Sequence, residues 1–244
     1  MEPSRKPEEM HLEKSLFSPF HAKTLKVQAD KGFLYESACY NPKYNMIIAC
    51  PDNNSIQFYD GTTFKPYEKR SFLMINSVSQ MSFHPESDTC LLGGMSGFIY
   101  KYDVSKSELE TVTQSDGTML GITFLNSTLY AFSLLESAKL YVRDLNNNRI
   151  ALTFDLNCTP SFGLYHLDKR NLLFSGLSNG SVKAFRTNKL PDLKAICSAK
   201  TEGWTLAIQS FNINGKEYVV AANENNKIKI WHLLKGKMKL LNPL

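Results

Sequence analysis

The sequence predicts an all-β fold of about five four-stranded antiparallel sheets arranged as a β-propeller. Three observations carry this. The stretch from Ser77 to Asp103, SVSQMSFHPESDTCLLGGMSGFIYKYD, holds three apolar runs cut by two turn signals. Strand, loop, strand, tight turn, strand is most of one sheet, and such a sheet cannot bury itself alone. The same unit recurs along the chain, closing at Asp60, Asp103, Asp144, Arg186 and His232, at spacings of 43, 41, 42 and 46 residues. A period of about 40–45 residues with three visible strands and room for a fourth is that of a propeller blade.

Each element of the unit has a local reason. Val78 to Phe83 alternates apolar and polar residues, the period of a strand with one buried face. His84-Pro85-Glu86-Ser87-Asp88 ends it, because Pro85 donates no backbone bond and Ser and Asp favour turns. Thr89 to Gly94 is nearly all apolar, as expected for a strand covered on both faces. Ser96-Gly97 makes a hairpin turn, and Phe98 to Tyr102 alternates again. Inner strands are expected near residues 35–40, 77–83, 119–124, 161–165 and 204–211. Candidate fourth strands follow at Phe64 to Phe72, Leu109 to Thr113, Arg149 to Phe154, Leu193 to Cys197 and Met238 to Leu241. They are more polar, as edge strands facing solvent should be. Asn53-Asn54, Asn225-Asn226 and Asn179-Gly180 are expected hairpin turns, since Asn and Gly tolerate positive φ.

The endings DNNSIQFYD, SGFIYKYD, ESAKLYVRD, NGSVKAFR and NNKIKIWH resemble the third-strand ending of WD40 repeats, a turn followed by alternating hydrophobics that close on aromatic-Asp. Tyr40-Asn41-Pro42 and Phe83-His84-Pro85 resemble the loop after that family's first strand. The resemblance covers Tyr35 to Leu244. It departs from the pattern at Trp231, which is followed by His232 rather than Asp, and in lacking the Gly-His that often opens a repeat. The turn Asp of the family is present only as Asp52, with Glu224 a possible substitute. The resemblance implies a domain over 22–244, a closed five-blade ring or a partial, open propeller, after a poorly ordered tail over 1–21. Ala22 to Ala29 reads as a strand preceding the first full repeat. It either completes the last blade or is an outer strand of a blade the chain lacks.

Composition fits one all-β domain of 244 residues, with 43% hydrophobic residues for a core and 11% aromatics for strand faces. No apolar run reaches the roughly 18 residues of a membrane span. The charged N-terminus carries no secretory or transit pattern. Five scattered cysteines without a C-x-x-C read as buried thiols in a reducing compartment, so a cytoplasmic or nuclear location is expected.

Chemistry is sparse. The five histidines stand outside ligand spacing of one another, and no metal motif or nucleophile elbow occurs. Gly93 to Gly97 connects two strands and so is no phosphate cradle. Asp60, Asp103 and Asp144 close the same strand of different blades and should be spread around the ring. No catalytic residue, cofactor or metal is expected. Residues 183–244 hold eleven Lys/Arg against four Asp/Glu. Of these, Lys227, Lys229, Lys235, Lys237 and Lys239 form a basic patch open to nucleic acid or anionic lipid, or simply a solvated edge.

Resemblance to WD40 proteins implies a non-catalytic scaffold or adaptor that binds other proteins. The alternatives are a propeller binding a polyanion through its basic C-terminal blade, or an enzyme with a site in the central channel. Propellers of this kind also place strand entrances and the turns between second and third strands on one face. That puts Tyr35, Asn76, Met119, Phe162 and Trp204 with Asn54, Glu136, Asn179 and Asn225 as candidate partner-binding residues. Trp204, after Glu202-Gly203, is the leading candidate anchor.

Overall fold

The computed structural model describes residues 35–51, 53–67, 72–73, 77–235 and 237–241. The expected tail over 1–21, the strand at Ala22 to Ala29, Asp52 and Asn76 lie outside them.

The described chain forms five four-stranded antiparallel sheets in a ring, a five-blade β-propeller. Blade one is β1 (Tyr35–Asn41), β2 (Met46–Pro51), β3 (Ser55–Asp60) and β4 (Phe72–Leu73). Blade two is β5 (Val78–Phe83), β6 (Thr89–Gly94), β7 (Phe98–Asp103) and β8 (Glu108–Gln114). Blade three runs β9 (Met119–Phe124), β10 (Leu129–Leu134), β11 (Lys139–Asp144) and β12 (Ile150–Asp155). Blade four runs β13 (Pro160–Leu167), β14 (Leu172–Leu177), β15 (Ser181–Arg186) and β16 (Ala195–Lys200). Blade five is β17 (Thr205–Ile213), β18 (Lys216–Asn223), β19 (Ile228–Leu234) and β20 (Lys237–Leu240).

The strands fall where the alternation placed them, and burial follows the pattern. Every residue of β14 is buried, while β8, β12, β16 and β20 are mostly exposed or half-buried. The fourth strand of blade one is shorter than expected. Pro66 makes an isolated bridge to Tyr59, and β4 itself spans only two residues. Asn54 and Asn226 take positive φ, as does Gly180, which follows Asn179.

Each inner strand carries a register shift against its second strand at the end where the chain enters, as between Val78 and Gln80 or between Thr205 and Ala207. These bulges twist the strand where it meets the ring's axis.

Apolar rows from facing sheets form the seams. Met46, Ile48, Ile56 and Phe58 of blade one pack with Val78, Leu92, Tyr100 and Tyr102 of blade two. Leu91 and Ile99 pack with Met119, Ile122 and Phe132 across the next seam. Ala131, Leu140 and Val142 meet Leu164, Leu173 and Leu177, and Phe174, Val182 and Ala184 meet Ile208, Val219, Ala221 and Trp231. Among the described residues no shared core of this kind joins blade five to blade one. Leu92, Ile99, Leu173 and Val182 are fully buried, as the expected blade packing requires. Val220 and Ile230, expected to be buried the same way, are only half-buried, because their face of blade five looks into that fifth seam.

Near the axis, side chains tie blades together. Gln80 Oε1 accepts the Ile122 N–H at 3.1 Å, and its Nε2 donates to the Leu164 carbonyl at 2.5 Å, so one amide links blades two, three and four. Ser82 Oγ accepts the Phe124 N–H at 3.1 Å. Gly121 makes room for the Gln80 bridge. A Cβ there would come within 2.6 Å of Leu164 Cβ and 2.9 Å of Gln80 Oε1.

Candidate functional site

The repeated aspartates turn out to be turn caps. Asp60 Oδ1 accepts the N–H groups of Thr62 and Thr63 and the Thr63 hydroxyl. Asp103 does the same for Lys106 N–H and the Ser105 hydroxyl, and Asp144 for the N–H groups of Asn146 and Asn147. Each satisfies the turn that leads to the fourth strand. The bonds from Thr63 hold the Asp60 carboxyl below its usual range, and those from Ser105 and Lys106 do so for Asp103. They sit in separate blades, as their spacing implied.

His84 is an inter-blade clamp. Its Nδ1 accepts the N–H groups of Glu86 and Ser87 at 3.0 and 2.9 Å, while Nε2 stands 2.9 Å from the Ser127 carbonyl of blade three. The neutral ring with its proton on Nε2 satisfies all three bonds. The ring also meets Phe124 edge-on at 4.8 Å.

The five inner strands enclose a central cavity of about 590 Å³, lined by Cys39, Gln80, Ser82, Thr123, Phe162 and Leu206 among others. Several of its polar groups hold partners in the surrounding strands. Beyond Gln80 and Ser82, Tyr165 Oη lies 3.0 Å from Ser210 Oγ, and His166 Nε2 lies 3.1 Å from Thr187 Oγ1. Burial pushes the His166 imidazole below its usual range, which favours the neutral ring. Among the described residues lining the cavity, no hydroxyl or thiol is paired with a histidine and a carboxylate in the order of a nucleophilic triad.

Carboxylates order the strand-entrance side of blades three and five. Glu136, on the turn after β10, accepts the Thr118 N–H at 2.7 Å and the Thr118 hydroxyl at 2.8 Å, which holds its pKa down. Glu224, on the matching turn of blade five, accepts the Trp204 N–H at 2.9 Å, and its own N–H donates to the Trp204 carbonyl. Asn54 accepts the Ser77 hydroxyl, Asn179 accepts the Ser181 N–H, and Asn225 donates to the Glu202 carbonyl. The candidate residues therefore separate. Trp204, Phe162 and Asn54 are half-buried, and Glu136, Asn179 and Asn225 are exposed. Tyr35 opens β1 opposite Pro51. Met119 is fully buried, with its sulfur packed over Gly93, and so offers no side chain to a partner; the first position of β9 points into the seam between blades two and three.

The basic patch is divided. Glu202 pairs with Lys229 at 2.7 Å and Lys227 at 2.9 Å, and these two lysines hold its carboxyl down at about 2. Lys235, Lys237 and Lys239 are exposed at the other end of β19 and along β20. Glu202 precedes the lysines by 25 and 27 residues, so local charge counting misses the pairing.

Sequence reasoning also missed the seam-facing side of blade five. Cross-strand pairing sets Ala207, Ala222 and Ile228 in one row and Gln209, Val220 and Ile230 in the next. Phe211, Tyr218 and His232 stack below them with ring centroids 5.3 and 5.1 Å apart. Ile228 is 69% exposed and Leu206, at the rim of the cavity, 46%. The opposite face of the same sheet holds the buried Val219, Ala221 and Trp231. Period-two alternation cannot signal this exposure, because both faces of a blade read as apolar.

No family model matches the chain, and no curated protein sequence matches it. Solved structures do share its fold. One is a chain of the crystal structure of the mitotic checkpoint complex, 12% identical, with a TM-score of 0.67 over 87% of this chain and 65% of that one. Another is the computationally designed Ika8 protein, 15% identical, with a TM-score of 0.58 over 84% of this chain and 60% of that one. The chain thus spans less than two thirds of the length of either structure. At these identities the likeness is one of fold, a β-propeller.

Proposed function

We propose that this protein is a non-catalytic interaction platform that binds another protein through the strand-entrance rim and seam-facing side of blade five. The observation that carries this reading is the apolar row of Ala207, Ala222 and Ile228, exposed at both ends and half-buried between them, on a sheet whose other face is buried. An apolar sheet face next to a half-buried tryptophan suits a protein surface, because desolvating it is favourable and aromatic anchors dominate such contacts. The rim adds polar specificity through Glu202 with its two lysines and through Asn225. Likeness of fold to a chain of the mitotic checkpoint complex, a multi-protein assembly by name, is compatible with this role. The five thiols accord with work in a reducing, cytoplasmic or nuclear compartment.

The test is affinity capture from native cells with mass spectrometry, wild type beside Ile228→Asp and Trp204→Ala. Both variants should lose the same partner, and Ile228→Asp should do so while melting within about 2 °C of wild type, since exposed substitutions rarely move stability by more than about 0.5 kcal/mol. If both retain the full partner set, the reading fails. A robust hydrolase activity in the purified protein would overturn it in favour of a channel enzyme.

A further inference from the structure

Four sulfur-bearing side chains meet where blade one joins blade two. Cys39 lies on β1, Cys50 on β2, Met81 on β5 and Cys90 on β6, and all belong to or pack against one apolar cluster. The Met81 sulfur stands 4.0 Å from Cys39 Sγ and 3.7 Å from Cys50 Sγ. Cys39 faces Ile48 and Cys50 faces Ser37 in the β1–β2 register, so the two thiols sit on a diagonal of the same sheet face. Cys39 and Met81 also line the central cavity, which gives a route in from solvent. None of the cysteines is in a disulfide.

We propose that Cys39, Cys50 and Met81 form a binding site for a soft monovalent cation, Cu(I), entered from the central channel. Metal–sulfur bonds of about 2.3 Å in a trigonal plane place the three sulfurs about 4 Å apart, close to the two separations seen here. Two thiols and a thioether are soft donors, the set that selects Cu(I) over borderline or hard cations. Among the described residues no three His, Cys, Asp or Glu side chains stand together as ligands, so the third donor is the methionine sulfur and a four-ligand zinc site is not assembled. Binding is written as two thiols plus one Cu(I) giving a bis-thiolate complex and two released protons, with no change in oxidation state.

The experiment is an anaerobic titration of the reduced protein with Cu(I) against a chromophoric Cu(I) chelator, repeated with Zn(II). Wild type should withdraw one Cu(I) per chain, develop near-ultraviolet sulfur-to-copper absorption and melt at a higher temperature once loaded. Met81→Leu, which nearly conserves volume, should keep the fold and bind at least about tenfold more weakly. Cys39→Ser should do the same, while Cys158→Ser and Cys197→Ser should leave affinity unchanged. The assignment is overturned if the chelator keeps all the copper. It is equally overturned if Met81→Leu and Cys39→Ser bind as wild type does, or if Zn(II) binds as tightly as Cu(I).

Discussion

Glu224 holds Trp204 by its backbone: the carboxylate accepts the tryptophan N–H at 2.9 Å, and the Glu224 N–H returns a bond to the Trp204 carbonyl at 3.0 Å. In blade three the Glu136 carboxylate likewise accepts the Thr118 N–H, and there the N–H of the neighbouring Leu135 returns the bond to the Thr118 carbonyl. The carboxylate on the turn after the second strand thus fixes where its blade's inner strand begins. In blade five this sets the position of the half-buried indole. Glu224→Ala should loosen that segment, lowering stability by about 1 kcal/mol and quickening amide exchange at Trp204. Unchanged exchange there would show that the carboxylate does not position the tryptophan.

Trp204→Ala separates a contact residue from a core residue. A half-buried anchor should cost about 2 kcal/mol or more of partner binding with little change in melting temperature. A large fall in melting temperature would instead make the indole a plug between blades.

Gln80 is expected to matter more than its place on the cavity wall suggests. Gln80→Leu would leave the Ile122 N–H and the Leu164 carbonyl without their partner, at a cost of about 1–3 kcal/mol. Urea unfolding measures this, and a loss below about 0.5 kcal/mol would say that water replaces the amide.

The seams predict a contrast between equivalent positions. Leu173→Ala, in a closed seam, should cost about 2–5 kcal/mol. Ile230→Ala, on the fifth seam, should cost well under that range, because the truncated side chain is already half in water. Equal losses would mean that the blade-five face is covered in solution.

Acid should destabilise the fold. The carboxyls of Asp60, Asp103, Glu136 and Glu202 all titrate below their ordinary values when folded. A depressed folded pKa means that the stabilisation is complete above the unfolded value, near 4, and drains away as pH falls through the folded one. For Glu202 that extends to about 2. Melting temperature should therefore fall between about pH 5 and pH 2. The Glu202 share should shrink in high salt because its ion pairs are exposed. A melting curve that is flat over that interval would contradict these bonds.

The chain itself determined the period, the strands, the hairpin turns and the polar outer edges. All of these depend on neighbours within a few residues, through alternation and the φ preferences of Asn and Gly. The aromatic-Asp endings were likewise legible, since each Asp caps a turn only two or three residues on. Tertiary structure decided what covers each face. Val220 and Ile230 alternate just as Leu173 and Val182 do, yet only the latter pair is fully buried. Period-two patterning says which face is apolar but not whether another sheet lies against it. Likewise the pairing of Glu202 with Lys227 and Lys229, the reach of Gln80 to Leu164 and the approach of Met81 to Cys39 and Cys50 join residues 25 to 84 positions apart. Such contacts exist only once the blades close around the axis, because nothing local in the chain links those side chains before the sheets pack.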